Sequence, residues 1–510
     1  MKLGRPARIA AFWAAYAAVT GLASLIYLHI PPSPDQSIFD YMAWLDLHGV
    51  PFYQGSFDMT WPGQLLFHEM YVRLFGVRWW TSRAGDFLIL QPAVLAIYLF
   101  LRAAGFWRAA VAAALAYPII YVTSGGWMAG HRDLTGMHFL IGAAVLALPA
   151  RRLGAWRPML AGALVGYATM IRPTYLAFAS LLLILAVPYW SEASLRRAHI
   201  FRTVLLFGAG VAIPALLFLA YGIATGTADD WYVDSVRFVI EAYQVPGSRA
   251  RLFGPAVQLL SHSLWWLTLV AALGAGLWFL STRDRKALWL IAAMAVTAFV
   301  SYFAQNKGFG YHLGGLIPLL VMLGCAGAEA GINWPVRSTP FRSAFAWLGA
   351  ALLLTGASLR VVHAVTGQAE TASQGPDQPL PLPDSLDLAR IIKSESTPSD
   401  TFLQWGWEFR VSFLAERRSP TRLVNTMAAR LIRPGQPLFG RWLREFDNDL
   451  SDHPPKFILV DQSVMTPDGE VRVPNQADSE DMASILERHL RNGYLIRAQR
   501  GTYTLLKRTT

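Results

Sequence analysis

The chain has 510 residues, 54% hydrophobic and only 15% charged, with a net charge of +11 and one cysteine. A chain this long and this apolar falls outside the ordinary soluble class, and its apolar runs are long enough to span a bilayer. A single cysteine excludes an internal disulfide framework and a cysteine-ligated metal centre. The positive excess sits in short clusters between apolar runs, so it reads as membrane topology and excludes a nucleic-acid surface.

At about 20 apolar residues per helix, about eleven spans are expected. They fall near 9–29, 86–104, 109–125, 134–150, 158–171, 174–190, 203–224, 260–281, 287–304, 313–331 and 343–363. Lys2, Arg5 and Arg8 precede the first run, and no small-residue cleavage site follows it, so it reads as a retained helix. Plain Arg/Lys clusters recur at Arg102 and Arg108, at Arg151, Arg152 and Arg157, at Arg196, Arg197 and Arg202, at Arg283, Arg285 and Lys286, and at Arg337 and Arg342. Such clusters mark the cytoplasmic side, which puts the N-terminus in the cytoplasm. An odd number of spans then puts the C-terminus outside.

The loops of the opposite face carry mixed, chemically specific motifs. The first, about 30–85, opens with PDQSIFDY and holds Asp35, Asp40 and Asp58. Its segments DYMAWLDLHG and GQLLFHEMYVRLFG have helical apolar spacing with charge, as amphipathic surface helices do. Carboxylates at the membrane surface can act as a general base toward an acceptor hydroxyl or hold a divalent cation. The alternative for Asp35 is a cap on a helix starting at Gln36. The next outward loop carries His131, Arg132 and Asp133. Arginine holds phosphate through its planar fork, whereas Asp133 reads as an N-cap for the following span.

Arg172 and Pro173 separate two short spans. An arginine there must pair, face water or snorkel to the interface, and the proline favours a break. A further outward loop, about 225–259, holds Asp229, Asp230, Asp234, Arg237, Glu241, Arg249 and Arg251. QNKGFGYH at 305–312 then brings Lys307 and His312, with Gly308 and Gly310 allowing close backbone approach to a ligand. An ordinary polar loop is the alternative there. Trp44, Trp61, Trp79, Trp80 and Trp127 suit either sugar stacking or an interfacial belt, the belt being favoured for Trp79 and Trp80.

The expected domains are a membrane domain over 1–365, a Pro-rich linker over 366–384 and a soluble α/β domain over 385–510. In the last, SLDLARIIKS and SEDMASILERHLRN read as helices, and TFLQWGW, KFILVDQ and YTLLKR as strands. The fold class is thus an α-helical polytopic membrane protein with a small extracytoplasmic α/β domain.

Order and sidedness carry a resemblance. An Asp after span 1 (Asp35), surface helices ending in Leu74–Gly76, then His131–Asp133, Ile171–Pro173 and QNKGFGYH before a late span resemble the GT-C superfamily of membrane glycosyltransferases. The likeness is to the bacterial, family 39-like branch related to protein O-mannosyltransferases and aminoarabinose transferases. WGWEFRVSFLAERRSPTR at 405–422 is similar to the start of that family's outward C-terminal domain. The resemblance implies transfer of a sugar, with inversion, from a polyprenyl-phosphate carrier to a glycolipid, polysaccharide or protein acceptor at the periplasmic face of a bacterial inner membrane. It implies Asp35 as the catalytic carboxylate, with Arg132, Arg172, Lys307 and His312 as candidates for the carrier phosphate and Asp40 and Asp58 as accessory carboxylates. Gln36 follows Asp35 where relatives often have a second acid, which leaves a divalent metal open and no other cofactor expected. Thr60–Gly63 replaces a Lys-Pro-Pro element, removing one phosphate ligand. The other function classes weighed are a transporter or flippase for a lipid-linked glycan and a non-catalytic assembly partner.

Overall fold

A computed structural model describes residues 5–148, 156–190, 197–243, 250–281, 285–332, 356, 380–461, 482–491 and 493–509. Apart from Gly356, the span expected at 343–363 lies outside the described residues, as does the linker up to residue 379. The longer helices of the first half are α1 (Arg5–Tyr27), α2 (Pro34–Leu47), α3 (Pro62–Phe75), α4 (Thr81–Ala103), α5 (Trp107–Val122), α6 (Arg132–Ala147) and α7 (Arg157–Ile171). They are followed by α8 (Ala177–Trp190), α9 (Arg197–Thr225), α10 (Trp265–Leu280), α11 (Arg285–Gln305) and α12 (Leu316–Ile332). The C-terminal part adds α13 (Leu382–Ser394), α14 (Phe439–Asp452) and α15 (Met482–Leu490) with strands β1 (Phe402–Trp405), β2 (Phe457–Asp461), β3 (Tyr494–Arg500) and β4 (Tyr503–Arg508).

Two compact units emerge. The first comprises Met1–Ile30, Asp86–Phe218 and Gly247–Gly375. Among the described residues of the chain, four helices are long and apolar enough to cross a membrane, and the bent pair Leu252–Ser261 and Trp265–Leu280 adds a fifth. The helices Trp107–Val122, Pro173–Ala186 and Leu316–Ile332 are apolar but shorter. Glycines set the closest packing. A Cβ on Gly162 of α7 would lie 2.1 Å from the Phe207 carbonyl of α9, and one on Gly327 of α12 would lie 2.0 Å from Gly274 of α10. Only small residues let membrane helices approach so closely.

Cations cap the C-terminal end of α6. Lys286 Nζ donates to the Ala147 carbonyl at 2.7 Å, and Arg157 donates to the carbonyls of Leu146, at 2.5 Å, and Leu148. These belong to the plain basic clusters of the sequence, and here they satisfy orphan carbonyls and the negative end of the helix dipole.

The second unit comprises Pro31–Gly85, Leu219–Pro246 and Pro376–Thr510. The sequence divided the chain at 365 and 385, whereas compactness groups the two large loops, within 31–85 and 219–246, with the C-terminal residues. The tie is explicit in hydrogen bonds. Phe57 N donates to Arg422 O at 2.6 Å, Tyr41 Oη to Arg417 O at 3.1 Å, and Asn425 Nδ2 to Asp58 Oδ2 at 3.0 Å. Its sheet has the order β1-β2-β4-β3, with β1 parallel to β2 and the other pairs antiparallel. The parallel pair needs a long crossover, which contains α14. One core of this unit joins Phe57, Phe238, Trp405, Trp442 and Phe446.

Candidate functional site

The site of interest forms in the first unit at the N-terminal end of α6. Gly125 and Gly130 take positive φ, 100° and 77°, and turn the chain into that helix. The loop is anchored from below. Tyr121 Oη donates to Asp86 Oδ2 at 2.6 Å and accepts from Gly130 N at 2.9 Å, while Tyr27 donates to the same carboxylate at 2.5 Å. His131 is the N-cap, its Nδ1 3.5 Å from Asp133 N. The cap expected at Asp133 is therefore His131, and this frees the Asp133 carboxylate for another task.

That carboxylate is fully buried and gathers three sequence motifs. Arg172 donates Nε to Oδ1 at 2.9 Å and Nη2 to Oδ2. His312 Nδ1 lies 2.9 Å from Oδ2, and His131 Nδ1 lies 3.2 Å from it. Gln305 Nε2 donates to Oδ1 at 3.4 Å. Tyr175 Oη donates to the Asp133 backbone carbonyl at 2.7 Å. The ring of Tyr175 lies against Gly136 and its Oη against Gly315, where an added Cβ would come within 2.8 Å and 2.9 Å of it. IRPTY thus supplies Arg172 and Tyr175, HRD supplies Asp133, and QNKGFGYH supplies Gln305 and His312. The break before Pro173 matters here: Arg172 is extended, with φ −144° and ψ 103°, as the residue before a proline should be. Aromatic rings back the cluster. Tyr311 stacks on Phe309 at 5.5 Å and meets His131 edge-on at 4.7 Å.

Arg172 is neither snorkelling nor an isolated phosphate ligand; its charge is matched by Asp133. Arg132 is buried as the first residue of α6, and Lys307 is half-buried in the loop after α11. His131, Asp133 and His312 also place one ligating atom each within 4.8 Å of one another, the donor set of a divalent site. The Arg172 guanidinium, however, already covers both carboxylate oxygens with the positive charge that a metal would bring.

The first-loop carboxylates lie in the second unit. The expected cap at Asp35 is corrected: Pro34 begins α2, and Ser33 is the N-cap. Ser33 N donates to Gln36 Oε1 at 3.1 Å, and Gln36 N donates to Ser33 Oγ at 3.4 Å, which is a capping box. Asp35 is left in the first helical turn, half-buried, where a carboxylate suits the helix dipole. Asp40 is buried against His68, 2.7 Å away. Asp58 is buried and accepts from Thr60 N at 2.7 Å and from Asn425.

Asp133 was missed as a functional residue because a carboxylate opening a helix reads locally as a cap. The available signal was Arg172: a buried arginine between spans calls for a carboxylate partner, and Asp133 is one of few acids near the spans.

No family model matches the sequence, and no curated protein does. Solved structures do. ArnT from Cupriavidus metallidurans bound to undecaprenyl phosphate superposes with a TM-score of 0.61 at 13% identity, over 99% of this chain and 98% of that one. The same protein in the apo state gives 0.60 at 13% identity, over 98% of each chain. The oligosaccharyltransferase of Archaeoglobus fulgidus, tethered to an acceptor peptide, gives 0.50 at 14% identity, over 96% of this chain and 73% of that one. The chain therefore has the GT-C fold of these membrane glycosyltransferases.

Proposed function

We propose that this protein is an integral-membrane glycosyltransferase that moves a sugar from a polyprenyl-phosphate carrier to a hydroxyl of a glycan, lipid or protein acceptor. The observation that carries the reading is the end-to-end fold similarity to a transferase that binds undecaprenyl phosphate. Eleven spans, a cytoplasmic N-terminus and a periplasmic reaction are part of the proposal.

The chemistry is a displacement at the anomeric carbon. The acceptor oxygen attacks that carbon from the face opposite the phosphate, and the bond from carbon to phosphate oxygen breaks. Inversion follows from a single such step. Asp35 is assigned the proton of the acceptor hydroxyl, a contribution of about 10²–10⁴-fold for a positioned base. The leaving polyprenyl phosphate takes the bonding electrons, and cationic donors stabilise it. Arg132, Lys307, Arg172 and His312 are assigned to that phosphate. The burial of Asp40 on His68 and of Asp58 on Asn425 supports Asp35 as the base over either of them. No step is assigned to a metal.

The test uses membranes that carry wild type or Asp35→Asn, supplied with a radiolabelled pool of polyprenyl-phosphate sugars. Labelled product from wild type, reduced at least about 100-fold in a variant that still inserts, is the expected result. Equal transfer by both would remove Asp35 from the mechanism. Labelled sugar carried across vesicle membranes without any new glycosidic bond would move the reading to a transporter.

A further inference from the structure

Asp133 has no role in the chemistry above, yet the molecule spends a buried carboxylate on it. Isolated charges in a low-dielectric interior are costly, and removing one partner of a buried pair leaves the other exposed to that cost. Arg172 meets Asp133 through its Nε–Nη2 edge, so its third nitrogen, Nη1, points elsewhere. All of the interactions of Arg172 are accounted for without Nη1 among the described residues. His312 is 2% exposed, and its Nε2 is buried with no hydrogen-bond partner among the described residues. His312 Nδ1 lies 2.9 Å from Arg172 Nη2 and also 2.9 Å from Asp133 Oδ2; in the tautomer in which Nδ1 accepts from the arginine, the imidazole proton is on Nε2. The cluster thus turns two donors, Arg172 Nη1 and His312 Nε2, away from the carboxylate that organises them.

We propose that Asp133 is the positioning residue of the phosphate site, holding Arg172 directly and His312 through the Arg172 Nη2 donor, so that Nη1 and Nε2 donate to the oxygens of a polyprenyl phosphate. This rests on the function proposed above and adds a residue to it. It also changes what Arg172 does. The Asp133 charge offsets that of Arg172, so the arginine contributes direction more than net charge. A carboxylate stripped of its arginine would instead repel the ligand. The orienting partner is as much a part of such a site as the donors themselves.

The experiment measures undecaprenyl phosphate binding to the full-length protein in lipid nanodiscs, with thermal unfolding recorded on each variant. Arg172→Gln in the wild-type background should weaken binding by about 100-fold, because it removes a donor and leaves Asp133 unmatched. The same substitution made in Asp133→Asn should cost at least about 10-fold less, since interacting residues are non-additive. Equal losses in the two backgrounds would overturn the proposal and leave Arg172 as an independent phosphate ligand. The histidine is tested separately, which keeps the proposal falsifiable if the arginine variants fail to fold. His312→Gln places an amide near Nε2 and should bind within about 3-fold of wild type, whereas His312→Asn reaches only to Nδ1 and should lose about 10-fold. A purely structural histidine would change the unfolding temperature and leave the two affinities alike, and that result would also overturn the proposal. Failure of wild type itself to bind undecaprenyl phosphate would sink the transferase reading and this inference with it.

Discussion

Asp133 with Arg172 and Asp234 with Arg422 are built from the same two side chains, and all four residues are buried. Their surroundings differ. Arg422 places one nitrogen, Nη1, on both oxygens of Asp234, at 2.9 and 2.8 Å, gives Nε to Glu445 at 2.7 Å and lies 5.8 Å from the Trp442 ring. It fastens the 225–243 segment to the C-terminal residues of the second unit. Asp133 is ringed instead by histidines and an amide, and it turns donors away from itself. A buried ion pair is weak evidence for function on its own, and Arg422 too keeps a buried nitrogen, Nη2, without a hydrogen-bond partner among the described residues; the two histidines and the amide around Asp133 are what distinguish the two.

The largest effect on stability is expected at Arg422. Arg422→Gln leaves Asp234 buried without its partner and should destabilise the second unit by about 3–5 kcal/mol. The loss should appear as faster hydrogen exchange over 225–243 and 409–425. Molecules that remain folded should bind undecaprenyl phosphate as wild type does. Binding that collapses in folded Arg422→Gln protein would show that the two pairs are not different in kind.

A smaller effect is expected at Asp58. Its two acceptors serve a backbone N–H and Asn425, so Asp58→Asn should cost about 1–3 kcal/mol through mismatched hydrogen bonds. Transfer by the folded variant should stay within a few-fold of wild type. A loss as deep as that of Asp35→Asn would return Asp58 to the catalytic candidates.

The sequence announced the two units unequally. The apolar runs are legible because a bilayer demands long stretches without charge, so α1 and α4 to α12 fall on expected apolar runs, although among the described residues only four helices, or five with the bent pair, are long and apolar enough to cross a membrane. The second unit is harder to read because it is assembled from three separated segments. Periodicity within 31–85 shows a surface helix but not that Tyr41 bonds to Arg417. Strand β3, YLIRAQR, was missed because its side chains are mostly exposed and two are arginines, as an edge strand tolerates. Helix α14, FGRWLREFDNDLSD, was missed although Trp442, Phe446 and Leu450 repeat at helical spacing. At the site, the motifs were visible one by one. Their meeting point was not, since Asp133, Arg172 and His312 come together only through the packing of α6, α7 and α11.

Tyr175 tests how finely the cluster is held. Tyr175→Phe keeps the ring against Gly136 and removes only the hydrogen bond to the Asp133 carbonyl, a change of about 1 kcal/mol. Undecaprenyl phosphate affinity should fall by about 3–10-fold, with little change in unfolding temperature. An affinity equal to that of wild type would mean that the side-chain contacts of Asp133 suffice to hold it.

The smallest expected effect separates surface pairing from both buried pairs. Glu395 accepts from Arg497 Nε at 2.9 Å and from Lys507 Nζ at 2.7 Å, and these bonds hold its carboxyl down to about 2. An unfolded glutamate titrates near about 4.3. The folded state therefore prefers the ionised form: its contribution to stability is complete above about pH 5 and fades as the pH falls toward 2. The group is partly exposed, so that contribution is screened and belongs with surface pairs of about 0–1 kcal/mol. Unfolding of wild type and Glu395→Gln, compared across that pH range, should show a small gap at neutral pH that closes in acid. A gap that persists undiminished at pH 2 would mean that Glu395 stabilises the sheet by packing, since packing does not depend on the proton that the carboxyl gains.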